Sequence, residues 1–91
     1  MAIIAVWLKL EEGRVAEGLQ ESLEKLDSAD GELLLDFSAV RRLDARALAA
    51  LQKLADAAEL KQLKLALRGA NIEIYKVIKL ARLAPRFSFA A

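Results

Sequence analysis

An alternation between two hydrophobic periods constrains the fold of this chain more than any other sequence feature. Segments rich in β-branched and other apolar residues, typical of strands, alternate with segments whose apolar residues recur at helical spacing. Strands are predicted over 3–10, 32–37 and 63–67, helices over 14–26, 44–60 and 72–83, and a short last strand over 86–89. This order predicts an α/β fold, a single compact domain over 1–91 with a mainly parallel central sheet and alternating helices.

Apolar stripes within the helical segments identify the predicted core. The stripe residues are Val15, Leu19, Leu23 and Leu26, then Leu48, Leu51, Ala55 and Ala58, then Ile74, Val77, Ile78 and Ala81. The uninterrupted apolar run within 32–37 predicts a central strand that is covered on both faces. A turn is predicted over 27–31. Asp44 and Asn71 are predicted N-caps, and Pro85 is predicted to stop the last helix.

Composition excludes several kinds of function. The 91 residues include no Cys and no His, so the chain cannot build a Ser-His-Asp or Cys-His catalytic site or a Cys-ligated metal centre. The longest apolar run covers residues 1–8, far below the ~20 residues that cross a bilayer. We therefore expect a cytoplasmic domain with no cofactor, no metal and no direct membrane insertion.

Carboxylates and basic residues are the remaining candidates for chemistry. Asp36 and Asp44 could act as an acid and a base, but such residues at strand and helix ends are usually turn-formers and caps, so we expect no enzyme activity and no catalytic residue. The candidate phosphate loop at Gly69 lacks the Walker pattern. A basic helix face could bind nucleic acid, but a net charge of +1 favours a solvated face. The basic residues are Lys76, Lys79, Arg82 and Arg86.

Two helices carry more small or apolar residues than a core stripe requires. These residues are Ile72, Tyr75 and Leu80 in the last helix and Ala45, Ala49 and Ala50 in the second. A helix that is apolar on more than one side is either deeply buried or in contact with a partner. Both interpretations stay open: a binding surface formed by these two helices, or plain burial.

The order of elements and several segments of sequence resemble STAS domains, the family of anti-sigma-factor antagonists and their relatives. The segments are GELLLDF at 31–37, LDARAL at 43–48 and LRGANIEIYKVIKLARLAP at 67–85. The resemblance covers residues 3–89 and implies a non-enzymatic bacterial module for protein–protein interaction in signalling. Nucleotide binding, which some STAS domains are reported to show, is a further alternative, and the Ala/Leu bias leaves open a simplified or designed sequence.

The start of the second helix departs from the family pattern at its regulatory position. Signalling members carry Asp-Ser-Ser/Thr-Gly there, and the partner kinase phosphorylates the hydroxyl residue after the Asp. Asp44 matches the family Asp, whereas Ala45 stands at the phosphorylated position and Ala47 at the glycine. Phosphate there would add about −2 charge to the docking surface, and this chain cannot be switched in that way.

The resemblance also implies where a partner binds and what it is. The expected partner-binding residues are Ser38, Arg41, Arg42, Asp44, Ala45, Arg46 and Ala49. The implied partner is a protein similar to an anti-sigma-factor kinase. The tail at 67–85 is similar to the MlaB-like branch, which implies the alternative of a small STAS subunit on the ATPase of a phospholipid-transport ABC complex. The first strand resembles the second strand of longer STAS domains, so a free sheet edge and a homodimer through it are also expected.

Overall fold

The computed structural model describes residues 4–26 and 31–90. Its elements are β1 (Ile4–Lys9), α1 (Val15–Lys25), β2 (Glu32–Asp36), α2 (Ala45–Leu60), β3 (Lys64–Arg68), α3 (Ile72–Leu80), a 3₁₀ turn (Ala84–Arg86) and β4 (Ser88–Ala90). The predicted strands and helices are confirmed in type and order, although several ends shift. The turn predicted over 27–31 lies, except for Gly31, outside the described residues.

The strands form one sheet in the order β1-β2-β3-β4, and every neighbouring pair is parallel. Consecutive strands are therefore also neighbours in space, each joined to the next by a helical crossover. Right-handed crossovers that always step in the same direction place their helices on the same face of the sheet. The α/β prediction with a parallel sheet is confirmed.

One apolar core lies between the helices and that face of the sheet. The strand side of the core includes Leu33, Leu35 and Phe37, each no more than 1% exposed. The helix side consists of Val15, Leu19, Leu26, Ala47, Leu51, Leu54, Ala55, Ala58, Ile74 and Ile78. Among the predicted stripe residues, Leu23, Leu48, Val77 and Ala81 are only partly buried. Beside Leu23, Ser22 is fully buried, and its hydroxyl donates to the Gly18 carbonyl at 3.1 Å.

The prediction that β2 is covered on both faces is confirmed by its burial, although the helices lie on one face only. Leu34 points to the opposite face, yet it is only 6% exposed. Trp7 on β1 and Arg68 on β3 meet across β2, with the guanidinium carbon 5.6 Å from the ring centroid. This cation–π contact passes over β2 and shields Leu34, while Trp7 itself stays 57% exposed.

The last long helix ends earlier than predicted, at Leu80 rather than at residue 83. Arg82 adopts a left-handed conformation with φ 62°. The Arg82 N–H donates to the Lys79 carbonyl at 3.0 Å and the Leu83 N–H to the Ile78 carbonyl at 3.0 Å, which is a Schellman motif. The motif ends the helix before Pro85 is reached, and Pro85 lies in the following 3₁₀ turn.

Candidate functional site

The loops that follow β1, β2 and β3 lie together at one edge of the sheet, because the carboxyl ends of parallel strands meet there. They cover residues 10–14, 37–44 and 69–71. We call residues 38–43, which follow the central strand β2, the central loop. It contains the predicted partner-binding residues Ser38, Arg41 and Arg42, all of which are exposed.

Asp36 fixes the start of the central loop from the last position of β2. Its carboxylate accepts a hydrogen bond from the Ser38 backbone N–H at 2.9 Å. Hydrogen bonds from the Ser38 hydroxyl and this N–H hold the pKa of Asp36 below its usual value, and the charges of Lys9 and Arg68 act in the same direction. Partial desolvation opposes the shift without reversing it. Asp36 is therefore ionised at neutral pH and holds the loop as a turn-former.

The Asp36→Asn variant is expected to be less stable than the wild type at neutral pH and equally stable in strong acid. Because the folded pKa lies below the unfolded value of 3.8, the carboxylate stabilises the fold fully above that value. The contribution is lost as pH falls through the lower, folded pKa. Urea denaturation from neutral pH down to about pH 2 measures the difference. Ser38→Ala should give a smaller change of the same sign, and a gap that stays constant with pH would contradict the assignment.

Gly69 brings the loop after β3 against the start of the central loop. Its φ is +73°, a left-handed conformation that favours glycine. A Cβ built on Gly69 would lie 2.9 Å from the Ser38 Cβ and 3.0 Å from the Ser38 Cα. No side chain fits between the two loops at this point, so Gly69 sets how closely they approach.

The Arg41 backbone joins all three loops. Its N–H donates to the Glu12 Oε2 at 2.5 Å, and Glu12 belongs to the loop after β1. Its carbonyl accepts from the Asn71 Nδ2 at 2.8 Å, and Asn71 belongs to the loop after β3. Asn71 also accepts from the Ile74 N–H through Oδ1 at 2.9 Å, which confirms it as the N-cap of α3. One side chain thus caps a helix and holds the neighbouring loop.

The first turn of α2 presents the position that corresponds to the family phosphosite. The Asp44 Oδ1 accepts from the Ala47 N–H at 2.8 Å, which confirms Asp44 as the N-cap. Ala45 and Arg46 are exposed in this turn, and Ala49 is exposed one turn later. Arg46 reaches α1, where its guanidinium lies 3.6 Å from the Glu17 carboxylate.

Two adjoining clefts run between α1 and α2. A cleft of about 420 Å³ at the helix starts is lined by residues that include Arg42, Asp44 and Arg46. A second cleft of about 470 Å³ continues between the helices and is lined by Ala16, Glu17, Leu19, Gln20, Leu23, Arg46, Ala49, Ala50 and Lys53. Both clefts share Ala16, Glu17 and Arg46, so they form one continuous groove, the α1–α2 groove.

The sequence suggested one binding surface formed by α2 and α3, but the structure places the residues of these two helices on separate surfaces. Ala49 and Ala50 line the α1–α2 groove, in which no residue of α3 takes part. Ile72 and Leu80 project from α3 with 71% and 84% exposure. Tyr75 packs edge-on against Phe89 of β4, with ring centroids 5.0 Å apart. The exposed apolar residues of α3 therefore form a surface distinct from the groove.

The partner-binding residues predicted from the sequence gather around the start of α2. Ser38, Arg41 and Arg42 in the central loop adjoin Asp44, Ala45, Arg46 and Ala49 on α2. Sequence reasoning missed Glu12, which is separated from Arg41 by 29 residues. No local pattern marks such a contact. Asn71 was predicted only as a cap, although its amide also holds the central loop.

Within the described ranges, no cluster of three or more His, Cys, Asp or Glu residues is arranged to hold a metal ion. None of the helices described in the structure combines the length and apolar character needed to cross a membrane. Asp36 and Asp44 both accept bonds from backbone N–H groups, as expected of a turn-former and a cap.

Comparison with known protein families identifies one family. The family model described as "Mlab, STAS domain" matches residues 12–85. No curated protein sequence matches the chain. A sulfate transporter family protein from Wolinella succinogenes has a similar structure, with a TM-score of 0.76, 18% identity and coverage of 98% of this chain and 80% of that one.

Two further solved structures are similar at low sequence identity. A putative anti-sigma factor antagonist from Thermotoga maritima gives a TM-score of 0.70 at 16% identity, covering 98% of this chain and 81% of that one. A serine-to-glutamate variant of RsbS from Moorella thermoacetica gives a TM-score of 0.71 at 20% identity, covering 99% of this chain and 82% of that one. At these identities the likeness concerns the fold.

Proposed function

The chain belongs to the STAS domain family, and from that membership we propose that it is a non-enzymatic protein-interaction module of a bacterial cytoplasm. Its partner would bind the central loop and the first turns of α2. The residues in contact would be Ser38, Arg41, Arg42, Asp44, Ala45, Arg46 and Ala49.

The observation that carries this proposal is the exposed and rigidly held start of α2. Ala45, Arg46 and Ala49 are exposed on a helix whose N-terminus is capped by Asp44. On the opposite side, Ala47 and Leu51 of the same helix are buried, which fixes the orientation of the exposed side. The small Ala49 side chain at the rim of the α1–α2 groove lets a partner approach the backbone closely.

Phosphorylation at the family position cannot switch off binding at this surface. Ala45 occupies the first helical position after the Asp44 cap, where signalling relatives carry a hydroxyl. Ser38 is the nearest hydroxyl along the chain, and it lies in the central loop beyond the cap. A chain that cannot gain about −2 charge at this surface remains in a binding-competent form.

The family model favours an ABC ATPase over an anti-sigma-factor kinase-like protein as the partner. Its description as Mlab supports a small subunit bound to the ATPase of a phospholipid-transport ABC complex. The solved structure of an anti-sigma factor antagonist supports an anti-sigma-factor kinase-like partner, but at 16% identity it carries less weight. Neighbouring genes distinguish them: an adjacent ABC ATPase and permease indicate transport, and an adjacent histidine-kinase-like ATPase indicates signalling.

Ala45→Glu is expected to weaken partner binding at least about ten-fold, because it places a charge where a partner would remove water. The measurement is co-purification from the native host, followed by titration of the captured partner with purified wild type and variant. Leu60→Glu is the matched control, since it adds the same charge to the same helix at a residue 88% exposed. Leu60 lies about 22 Å along the α2 axis from Ala45.

The two variants together make the test decisive. Loss of binding in Ala45→Glu with retention in Leu60→Glu supports docking at the start of α2. Equal binding of the wild type and Ala45→Glu places the interface elsewhere on the molecule.

A further inference from the structure

The Arg41 backbone is held on both of its polar groups by loops distant in sequence. Glu12 accepts the Arg41 N–H at 2.5 Å, and the Asn71 amide donates to the Arg41 carbonyl at 2.8 Å. The polar groups of an exposed loop backbone normally bond to water, so two bonds to side chains of different loops restrict the two peptide units that flank the Arg41 Cα. We call Glu12 and Asn71, with the Arg41 backbone between them, the loop clamp.

Buried apolar residues hold the loop on either side of the clamp. Val40 is 3% exposed, and its N–H donates to the Phe37 carbonyl at 2.9 Å. Leu43 packs partly buried against the core. Between these anchors, Arg41 and Arg42 are exposed. The backbone is fixed while the two guanidinium groups extend outward.

Three carboxylates line the same cleft as Arg42, and each already has another partner. Glu12 accepts the Arg41 N–H, Asp44 caps α2, and Glu17 pairs with Arg46. Among the described residues, Arg41 and Arg42 form no ion pair through their side chains. Guanidinium groups that lack an internal partner and lie on a fixed backbone are suited to bidentate recognition of carboxylates.

We propose that Glu12 and Asn71 are positioning residues that fix the central loop so that Arg41 and Arg42 bind an acidic segment of the partner protein. This inference rests on the proposed function, because it assigns the partner's chemistry at the same surface. The clamp lowers the ordering cost of binding, since the loop already has its bound conformation in the free protein.

The Asn71→Asp variant removes the bond to the Arg41 carbonyl but keeps the cap of α3. Aspartate caps a helix as well as asparagine does, so the Ile74 N–H keeps its acceptor. The carboxylate has no donor for the Arg41 carbonyl and repels it. In the free protein, amide exchange of Arg41 should rise about ten-fold while exchange of Ile74 stays unchanged. Glu12→Ala should release Arg41 similarly, and Glu12→Gln, which keeps an acceptor, should restore protection.

Partner titration then tests what the clamp does. Asn71→Asp should weaken binding about ten-fold with both arginines present, and Glu12→Gln should bind as the wild type does. Arg41→Ala with Arg42→Ala should weaken binding more, and added salt should weaken wild-type binding. Lys76→Ala with Lys79→Ala removes the same charge from the exposed surface of α3 and should leave binding unchanged.

Each contrary result overturns the proposal. Unchanged Arg41 exchange in Asn71→Asp means that Asn71 does not hold the loop, because Glu12 alone then protects the Arg41 N–H. Raised exchange with unchanged affinity means that the clamp does not position the arginines for binding. Equal affinities for the arginine and lysine variants exclude an acidic segment at this loop. If Ala45→Glu abolishes binding while the arginine variants retain it, the proposed function stands and this inference alone fails.

Discussion

Phe37→Ala is expected to lower the free energy of unfolding by about 3–5 kcal/mol. The Phe37 side chain is 0% exposed and belongs to the core between the sheet and the helices. Alanine removes the whole ring, and neighbours that are held by the sheet and by α2 can fill the cavity only in part. The loss is a large share of the roughly 5–14 kcal/mol expected for a domain of 91 residues. Urea denaturation followed by circular dichroism measures it.

Phe37→Leu serves as the control for this prediction. Leucine keeps much of the apolar volume, so the loss should be clearly smaller than for alanine. Equal losses in the two variants would show that the cavity is not the cause. Phe37 immediately precedes the central loop. The alanine variant should therefore also increase amide exchange at Ser38 and Val40, which follow Phe37 in the sequence.

Gly69→Ala is expected to cost about 2–3 kcal/mol, because two separate penalties coincide. A φ of +73° disfavours any residue with a Cβ. The new Cβ would also lie 2.9 Å from the Ser38 Cβ, so the loop after β3 and the central loop must move apart. The free energy of unfolding from urea denaturation measures the sum of both penalties.

Gly13→Ala isolates the backbone penalty. Gly13 has a similar φ of +82°, and a Cβ built on it meets nothing within 4 Å. This variant should lose about 1 kcal/mol, and the excess loss in Gly69→Ala is then the steric contribution of Ser38. Similar losses in both variants would mean that the loops separate without cost. That result would contradict the close approach of the two loops.

The features that sequence reasoning predicted correctly are those with local causes. Element type follows from hydrophobic period, and the caps at Asp44 and Asn71 follow from side chains that bond to an N–H group three residues on. The end of α3 was wrong because the Schellman motif places Arg82, rather than a glycine, in the left-handed conformation. A proline was the stronger signal in the sequence, but it lies beyond the point where the helix ends.

Features that depend on contacts between distant segments were missed. The apolar run in β2 correctly predicted burial on both faces, but it did not indicate that all helices lie on one face, as follows from the sheet order. The other face is shielded by Trp7 and Arg68, which approach each other only in the folded sheet. No sequence pattern marked Glu12, because it accepts a hydrogen bond from a backbone N–H 29 residues away. The residues predicted to bind a partner lie together around the start of α2 because they are close in the sequence, and their role stays a prediction.

The agreement between strand order and chain order has a consequence for how the protein folds during synthesis. Each new strand pairs with the strand made just before it, so no strand waits for a distant segment to leave the ribosome. Each sheet contact closes only the loop of a single crossover, which keeps the entropy cost of loop closure small for a parallel sheet. The central loop, however, acquires its final conformation only after the first three strands, because Asn71 emerges only after β3 is complete. A nascent chain can therefore build most of its sheet before the proposed partner-binding surface exists.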